Sequence, residues 1–196
     1  MTSFDSTLHH RPHGSWSKLA DLIGGVYVKA GVSESVTLRV RGGTIILDEH
    51  RVGDSSPSTR ITASYISRDG FTFSIHSKTP FHSIAKVFGM QDVEVGDSEF
   101  DNKFIVRGNN IIKLQSLFGR DSIRKNLLSI HATRWLFLEV TQAENPGVSP
   151  LLGDRSQIVW SHAALVGSID VLRSIFELFA EILSQLCEMG SATEED

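Results

Sequence analysis

Apolar residues along this chain recur mainly at every second position, and in only a few stretches at every third or fourth. Residues 35–41, SVTLRVR, alternate strictly. Val36, Leu38 and Val40 turn one way and Thr37, Arg39 and Arg41 the other, which predicts a strand with one buried face. Gly42 and Gly43 then mark a hairpin, with residues 44–48 as the returning strand. Short strands are also predicted at 26–28, 60–67, 71–76, 104–107, 134–140 and 157–165. Phe71, Phe73 and Ile75 share one face. Arg68-Asp69-Gly70 has the chemistry of a tight hairpin turn between the strands at 60–67 and 71–76. Residues 53–58 and 141–155, rich in Gly, Pro and Ser, read as loops.

Helical spacing occurs where glycine or a capping residue frames it. Ser15 is placed to cap a helix over 16–23, with Trp16, Leu19, Ala20 and Ile23 on one side and Gly24 and Gly25 as the stop. Pro80 opens a short helix over 81–88. Asn109 or Asn110 caps a helix running to Phe118, and Asp121 caps the next. The strongest helix runs from 169 to about 189 behind Ser168. Val171, Ile175, Leu178, Phe179, Ile182 and Leu186 trace a wide apolar stripe along it. Many strands joined by short turns, with no regular strand–helix–strand alternation, predict an α+β fold. Its expected form is a mostly antiparallel sheet or partly open barrel with the long C-terminal helix packed over it.

The chain of 196 residues suits a single domain, expected over 15–190. Residues 1–14 have no apolar period and residues 191–196 are acidic, so both read as flexible tails. No apolar stretch long enough for a leader or a membrane span stands out, and one cysteine, Cys187, excludes an internal disulfide. A cytoplasmic location is the expectation. The net charge of −4 is local: five carboxylates lie within residues 92–101, with no Lys or Arg among them. The balanced remainder argues against nucleic acid as a partner.

That acidic stretch, VEVGDSEFDNKFIVRGNN (residues 93–110), is the main candidate for chemistry. Asp92, Glu94, Asp97, Glu99 and Asp101 surround Phe100. As a calcium loop starting at Asp97 it fails where the bend and the bidentate ligand are required, since Asn102 and Gly108 stand there. The better reading is strand, capped turn, strand. Val93 and Val95 face inward with acids outward, Ser98 and Asp101 form a capping box, and Phe100 and Phe104 anchor the turn. Its acids remain available to a partner. Lys113, Arg120, Arg124 and Lys125 form a candidate basic patch on two adjacent helices. His9, His10 and His13 cluster in the N-terminal tail, and the remaining histidines are isolated. Cys187 sits on or beside the apolar stripe as a small hydrophobe. No nucleophile elbow, phosphate-binding glycine loop or zinc motif occurs, so no catalytic residue, cofactor or metal site is assigned.

The run GMQDVEVGDSEFDNKFIVRGN (residues 89–109) resembles a motif of a family of uncharacterised bacterial proteins, roughly G-x-Q-D-[IV]-x-x-G-D-x-x-F-D-x-x-F-[IV]. Gly96, Asp97, Phe100, Asp101 and Phe104 carry the match. The closing LFAEILSQLCEMGSA is similar as well. The resemblance implies a bacterial, intracellular, single-domain protein and brings no ligand or catalytic residue with it. Three functions follow as expectations. The first is a non-enzymatic module that binds a protein or itself, as a homodimer. The second is a lipid- or small-ligand-binding domain with a cavity lined by Phe71, Phe73, Phe176 and Phe179. The third is an enzyme with a composite carboxylate site built on Asp97 and Asp101.

Overall fold

A computed structural model describes residues 14–51, 56–78, 91–131, 137–142 and 154–194. In chain order the elements are α1 (Ser15–Ile23), β1 (Val26–Ala30), β2 (Ser33–Val40), β3 (Gly43–His50), β4 (Ser58–Ser67), β5 (Phe73–Ser77), β6 (Gln91–Val93) and α2 (Ser98–Lys103). There follow β7 (Phe104–Gly108), α3 (Ile111–Phe118), α4 (Asp121–His131), β8 (Phe137–Gln142), β9 (Asp154–His162) and α5 (Ile169–Glu188). The expected helix at 81–88 lies outside the described residues, as do most of the two loops and residues 1–13.

The strands form one nine-stranded sheet in the order β1-β2-β3-β4-β9-β8-β5-β7-β6, antiparallel at every step. The sheet is open, with β1 at one edge and β6 at the other. The fold is therefore α+β, as the alternation predicts, and an open sheet rather than a barrel. Register explains why it buries one face. Tyr27, Val36, Leu47, Ile61, Trp160, Leu138, Ile75, Val106 and Val93 are successive Cα partners, so a single apolar row crosses all the strands. Slipping any strand by one residue would turn its part of that row to solvent.

Helix α5 packs over β3 and β4 and touches α1, α3 and α4. Its buried face is shifted and wider than the expected stripe: Val171 is only half-buried, while Leu172, Phe176, Leu183 and Cys187 are buried along with Ile175, Leu178, Phe179, Ile182 and Leu186. Ser168 caps it as expected, its hydroxyl accepting from the Val171 N–H. Trp16 Nε1–H donates to the Val166 carbonyl at 3.2 Å, which ties α1 to the approach of α5. No helix among the described residues is long and apolar enough to cross a membrane.

Local expectations fail in instructive places. Ser15 does not cap α1. Gly14 occupies the cap at φ 82°, and the Ser15 hydroxyl is buried with no hydrogen-bond partner among the described residues. The Asp69-Gly70 turn forms, with Gly70 at φ 66° and the Asp69 carboxylate accepting from the Phe71 N–H, but it does not join a hairpin. β9 and β8 stand between β4 and β5, so the turn carries the chain past two strands. Residues 191–194, expected as a tail, continue the fold. Ser191 and Ala192 are buried, Ala192 bridges Ser67, the Thr193 N–H donates to Ile66 and the Arg68 N–H donates to Ser191. They extend along the end of β4 beyond its pairing with β3, satisfying backbone groups there. Gly42 turns the β2–β3 hairpin at φ 85°, directly under α5. A Cβ at this position would lie 2.5 Å from Cys187 Sγ.

Candidate interaction surface

The acidic stretch is built as strand, capped turn and strand, with its frame one residue earlier than expected. Asp97, not Ser98, is the N-cap of α2: its carboxylate accepts from the Glu99 and Phe100 N–H groups, each at 3.1 Å. Asp101 reaches back to accept from the Val95 and Gly96 N–H groups, each at 3.0 Å. Gly96 has φ 88°, a left-handed conformation that reverses the chain into the cap. Phe100 packs 4.9 Å from Phe104 and 6.2 Å from Phe118, and Phe118 stands edge-on to Phe73 at 5.5 Å. The turn is thus anchored in an aromatic chain that runs into the sheet core.

Asp92, Asp97 and Glu99 of the acids, and Lys113, Arg120 and Arg124 of the supposed basic patch, are held in ion pairs. Arg107 pairs with Asp92, its partner in the β6–β7 register. Lys103 pairs with Glu99 at 2.7 Å one turn along α2. Arg124 Nε lies 3.0 Å from Asp97, while its Nη1 donates to the Phe118 and Gly119 carbonyls that α3 leaves unpaired at its end. The Phe100 N–H, with help from Arg124 and the Glu99 N–H, holds the Asp97 carboxyl below its ordinary value. Arg124 also pairs with Asp121, and Arg120 pairs with Glu188 on α5. Lys113 is bound by Asp69 and by the Ser191 hydroxyl at 2.9 Å. Burial would push the Asp69 carboxyl up, but hydrogen bonds from Lys113, the Phe71 N–H and Ser191 together hold it below its ordinary value. Only Lys125 of the four basic residues has no ion pair among the described residues. No free cationic face results, and among the described residues no three His, Cys, Asp or Glu side chains are placed to hold a metal ion.

Phe71, Phe73, Phe176 and Phe179 are buried in the core between the sheet and α5. On the outer face of the sheet His76 is buried beside Arg107. Burial first, and the Arg107 charge second, hold its imidazole below the ordinary histidine value, with Asp92 opposing.

Exposed large apolar residues occur at two places among the described residues: Ile111 and Ile112 open α3, and the other four gather around β1. Val26 is 63% exposed, Val28 49% and Val32, in the turn after β1, 89%. Val26, Val28 and Ala30 all lie on the outer face of β1, opposite the inward-facing Tyr27. Leu22, on the α1 helix that packs over β1 and β2, is 61% exposed. β1 pairs only with β2, so one of its two backbone edges has no strand beside it among the described residues. Edge strands are usually guarded by charge, proline, a bulge or shortness. β6 follows that rule with three residues that include the exposed Asp92, followed by exposed Glu94. β1 has five residues, no proline and one charge, and that charge is held by Glu34 directly across the ladder at 3.1 Å. The sequence text VYVKA carried this signal. It is apolar on both faces, where a strand with one solvated face should alternate.

Fold and surface together define, among the described residues, an open, helix-backed antiparallel sheet whose β1 edge is longer, more apolar and less charged than its β6 edge. No protein-family model matches the chain, and no curated protein matches it. A solved structure, the mycobacterial trehalose monomycolate transport factor A, TtfA, superposes with a TM-score of 0.47 at 9% identity, over 89% of this chain and 96% of that one. Similarity at that level carries no conclusion about what this chain does.

Proposed function

We propose that this protein is a non-enzymatic binding module that receives an extended polypeptide segment along the free edge of β1. The supporting observation is β1 itself, an edge strand among the described residues with Val26 and Val28 exposed and Lys29, paired with Glu34, as its single charge. Strand addition would give affinity through backbone hydrogen bonds and selectivity through alternate side chains. A segment with apolar residues at every second position fits Val26, Val28 and Ala30. On the same proposal the protein is cytoplasmic and related to the bacterial family with the G-D-x-x-F-D-x-x-F signature. Gly96, Asp97, Phe100, Asp101 and Phe104 then serve the fold as turn, cap and anchor. The enzymatic alternative has little to work with, because Asp97 and Asp101 direct their oxygens to backbone N–H groups and Arg124.

The test is titration of the labelled protein, dilute enough to be monomeric, with a synthetic peptide of residues 24–33. Amide shifts should concentrate in residues 26–30, and Val28→Lys should abolish them. Shifts elsewhere, or equal binding by the variant, would sink the proposal. A lipid or small apolar ligand is the alternative. It would have to open the core where Phe71, Phe73, Phe176 and Phe179 pack. A lipid retained through native mass spectrometry, and lost on enlarging one of these side chains, would favour it instead.

A further inference from the structure

We infer that the strand received by β1 is the β1 of a second copy, paired antiparallel about a two-fold axis through Val28. This rests on the proposed edge-strand function and goes beyond it by naming the occupant. A two-fold normal to the sheet keeps each copy's inner face on the same side, and it pairs one residue with its own copy across the axis. Of the five residues of β1, Val26 or Ala30 at the axis would leave most of the strand unpaired, so three centres remain. With Lys29 on the axis, two ammonium groups oppose each other. With Tyr27 on the axis, Lys29 and Ala30 run past the strand against Gly25 and Gly24 of the other copy. With Val28 on the axis the whole strand is used: Val28 meets Val28, Val26 meets Ala30, and Tyr27 meets Lys29. Apolar faces apolar on the outer side, and no like charges meet on the inner side. The sequence VYVKA is in this sense complementary to itself in one register.

Closure supports the same occupant. Pairing β1 with β6 of another copy would be head-to-tail and would propagate into a filament. The short β6 with Asp92 and Glu94 opposes that. Pairing β1 with β1 consumes both bare edges at once. It leaves an acid-guarded β6 at each end of two joined nine-stranded sheets. The two-fold also brings both α1 helices to the same side of the joined sheet. A ladder of five residues is a small interface, so the dimer should dissociate on dilution.

Sedimentation velocity of the full chain across a concentration series tests this. A monomer–dimer equilibrium is expected for the wild type, and Val28→Lys, which places two ammonium groups at the axis, should be monomeric throughout with its melting temperature retained. Register is read separately by disulfide trapping in a Cys187→Ser background. Val28→Cys should link two copies rapidly, whereas Val32→Cys, more exposed but outside the ladder, should link at least tenfold more slowly. A dimer that survives Val28→Lys, or equal trapping at the two positions, overturns the inference. A monomer whose β1 still takes the peptide of residues 24–33 overturns self-pairing and leaves the edge-strand function standing. A monomer whose β1 takes no peptide overturns both.

Discussion

Asp101→Ala is expected to destabilise the protein by about 2–3 kcal/mol without unfolding α2. The carboxylate accepts two backbone hydrogen bonds at 3.0 Å, from Val95 and Gly96. A hydrogen bond to a charged acceptor contributes roughly 1.5–3 kcal/mol when its partner is left unsatisfied. The Val95 group is partly buried and should count near that value. The Gly96 group is exposed, water replaces its acceptor, and its share is small. Helix α2 itself keeps its Asp97 cap. Urea unfolding followed by fluorescence of the core residues Trp16 and Trp160 should show a lower midpoint with an unchanged slope. In a thermal scan the same loss corresponds to a fall of about 5–10 °C for a domain of this size. A loss below about 0.5 kcal/mol would refute the role assigned to Asp101. So would a calcium-dependent rise in melting temperature that Asp101→Ala removes, because the carboxylates would then be cation ligands.

Gly42→Ala should cost about 2–4 kcal/mol, from the positive φ and from the contact its Cβ would make with Cys187 Sγ. Adding Cys187→Ala relieves only the contact, so the double variant should be more stable than the sum of the single effects by about 1 kcal/mol in denaturant titrations; strict additivity would place the cost elsewhere. Because the folded chain depresses the His76 imidazole below its reference value of 6.5, the unfolded chain takes up that proton first. The stability tied to neutral His76 is therefore full above about pH 7 and declines as the pH falls through 6.5 toward the folded value. His76→Gln should flatten this window in melting curves recorded at about pH 7.5 and 5.5, and an unchanged slope would remove His76 from the explanation. Truncation after Gly190 should cost about 2–4 kcal/mol, since it removes the Thr193–Ile66 and Arg68–Ser191 backbone bonds and buried Ala192; a truncated chain as stable as the whole would return residues 191–194 to the status of a tail.

Features that rest on periodicity were readable in advance. Phe73 and Ile75 point into the core because a strand alternates, and most of the α5 stripe is buried because an amphipathic helix must cover something. Features decided by distant partners were not. Asp69-Gly70 is a sound local turn, but nothing near it in sequence reveals that β9, ninety residues on, pairs with β4 and excludes β5. The capping frame slipped by one because Asp97 and Ser98 are both competent caps. Gly96, left-handed at φ 88°, settles the frame by delivering Asp97 into the cap position. Asp92 and Asp97 looked unpaired because their cations arrive from later positions. Arg107 comes by strand register and Arg124 by helix packing, neither visible as spacing. The bare edge was legible in VYVKA as missing alternation, yet only the strand order shows that β1 is an edge.

The placement of β9 and β8 in the middle of the sheet has a consequence for the growing polypeptide. β4 pairs with β9 from Thr59 opposite His162 to Ser67 opposite Asp154, separations of roughly half the chain. During synthesis, β1 to β4 emerge as one half-sheet and β5 to β7 as another, each with a long edge waiting for a hairpin not yet made. The two halves join only when residues 154–162 leave the ribosome, and α5, which roofs β3 and β4, comes later still. Such long-range closure slows folding and prolongs exposure of unpaired strands. Pausing translation before residue 154 should therefore leave an aggregation-prone nascent chain, and pausing after residue 194 has cleared the exit tunnel should leave a folded one.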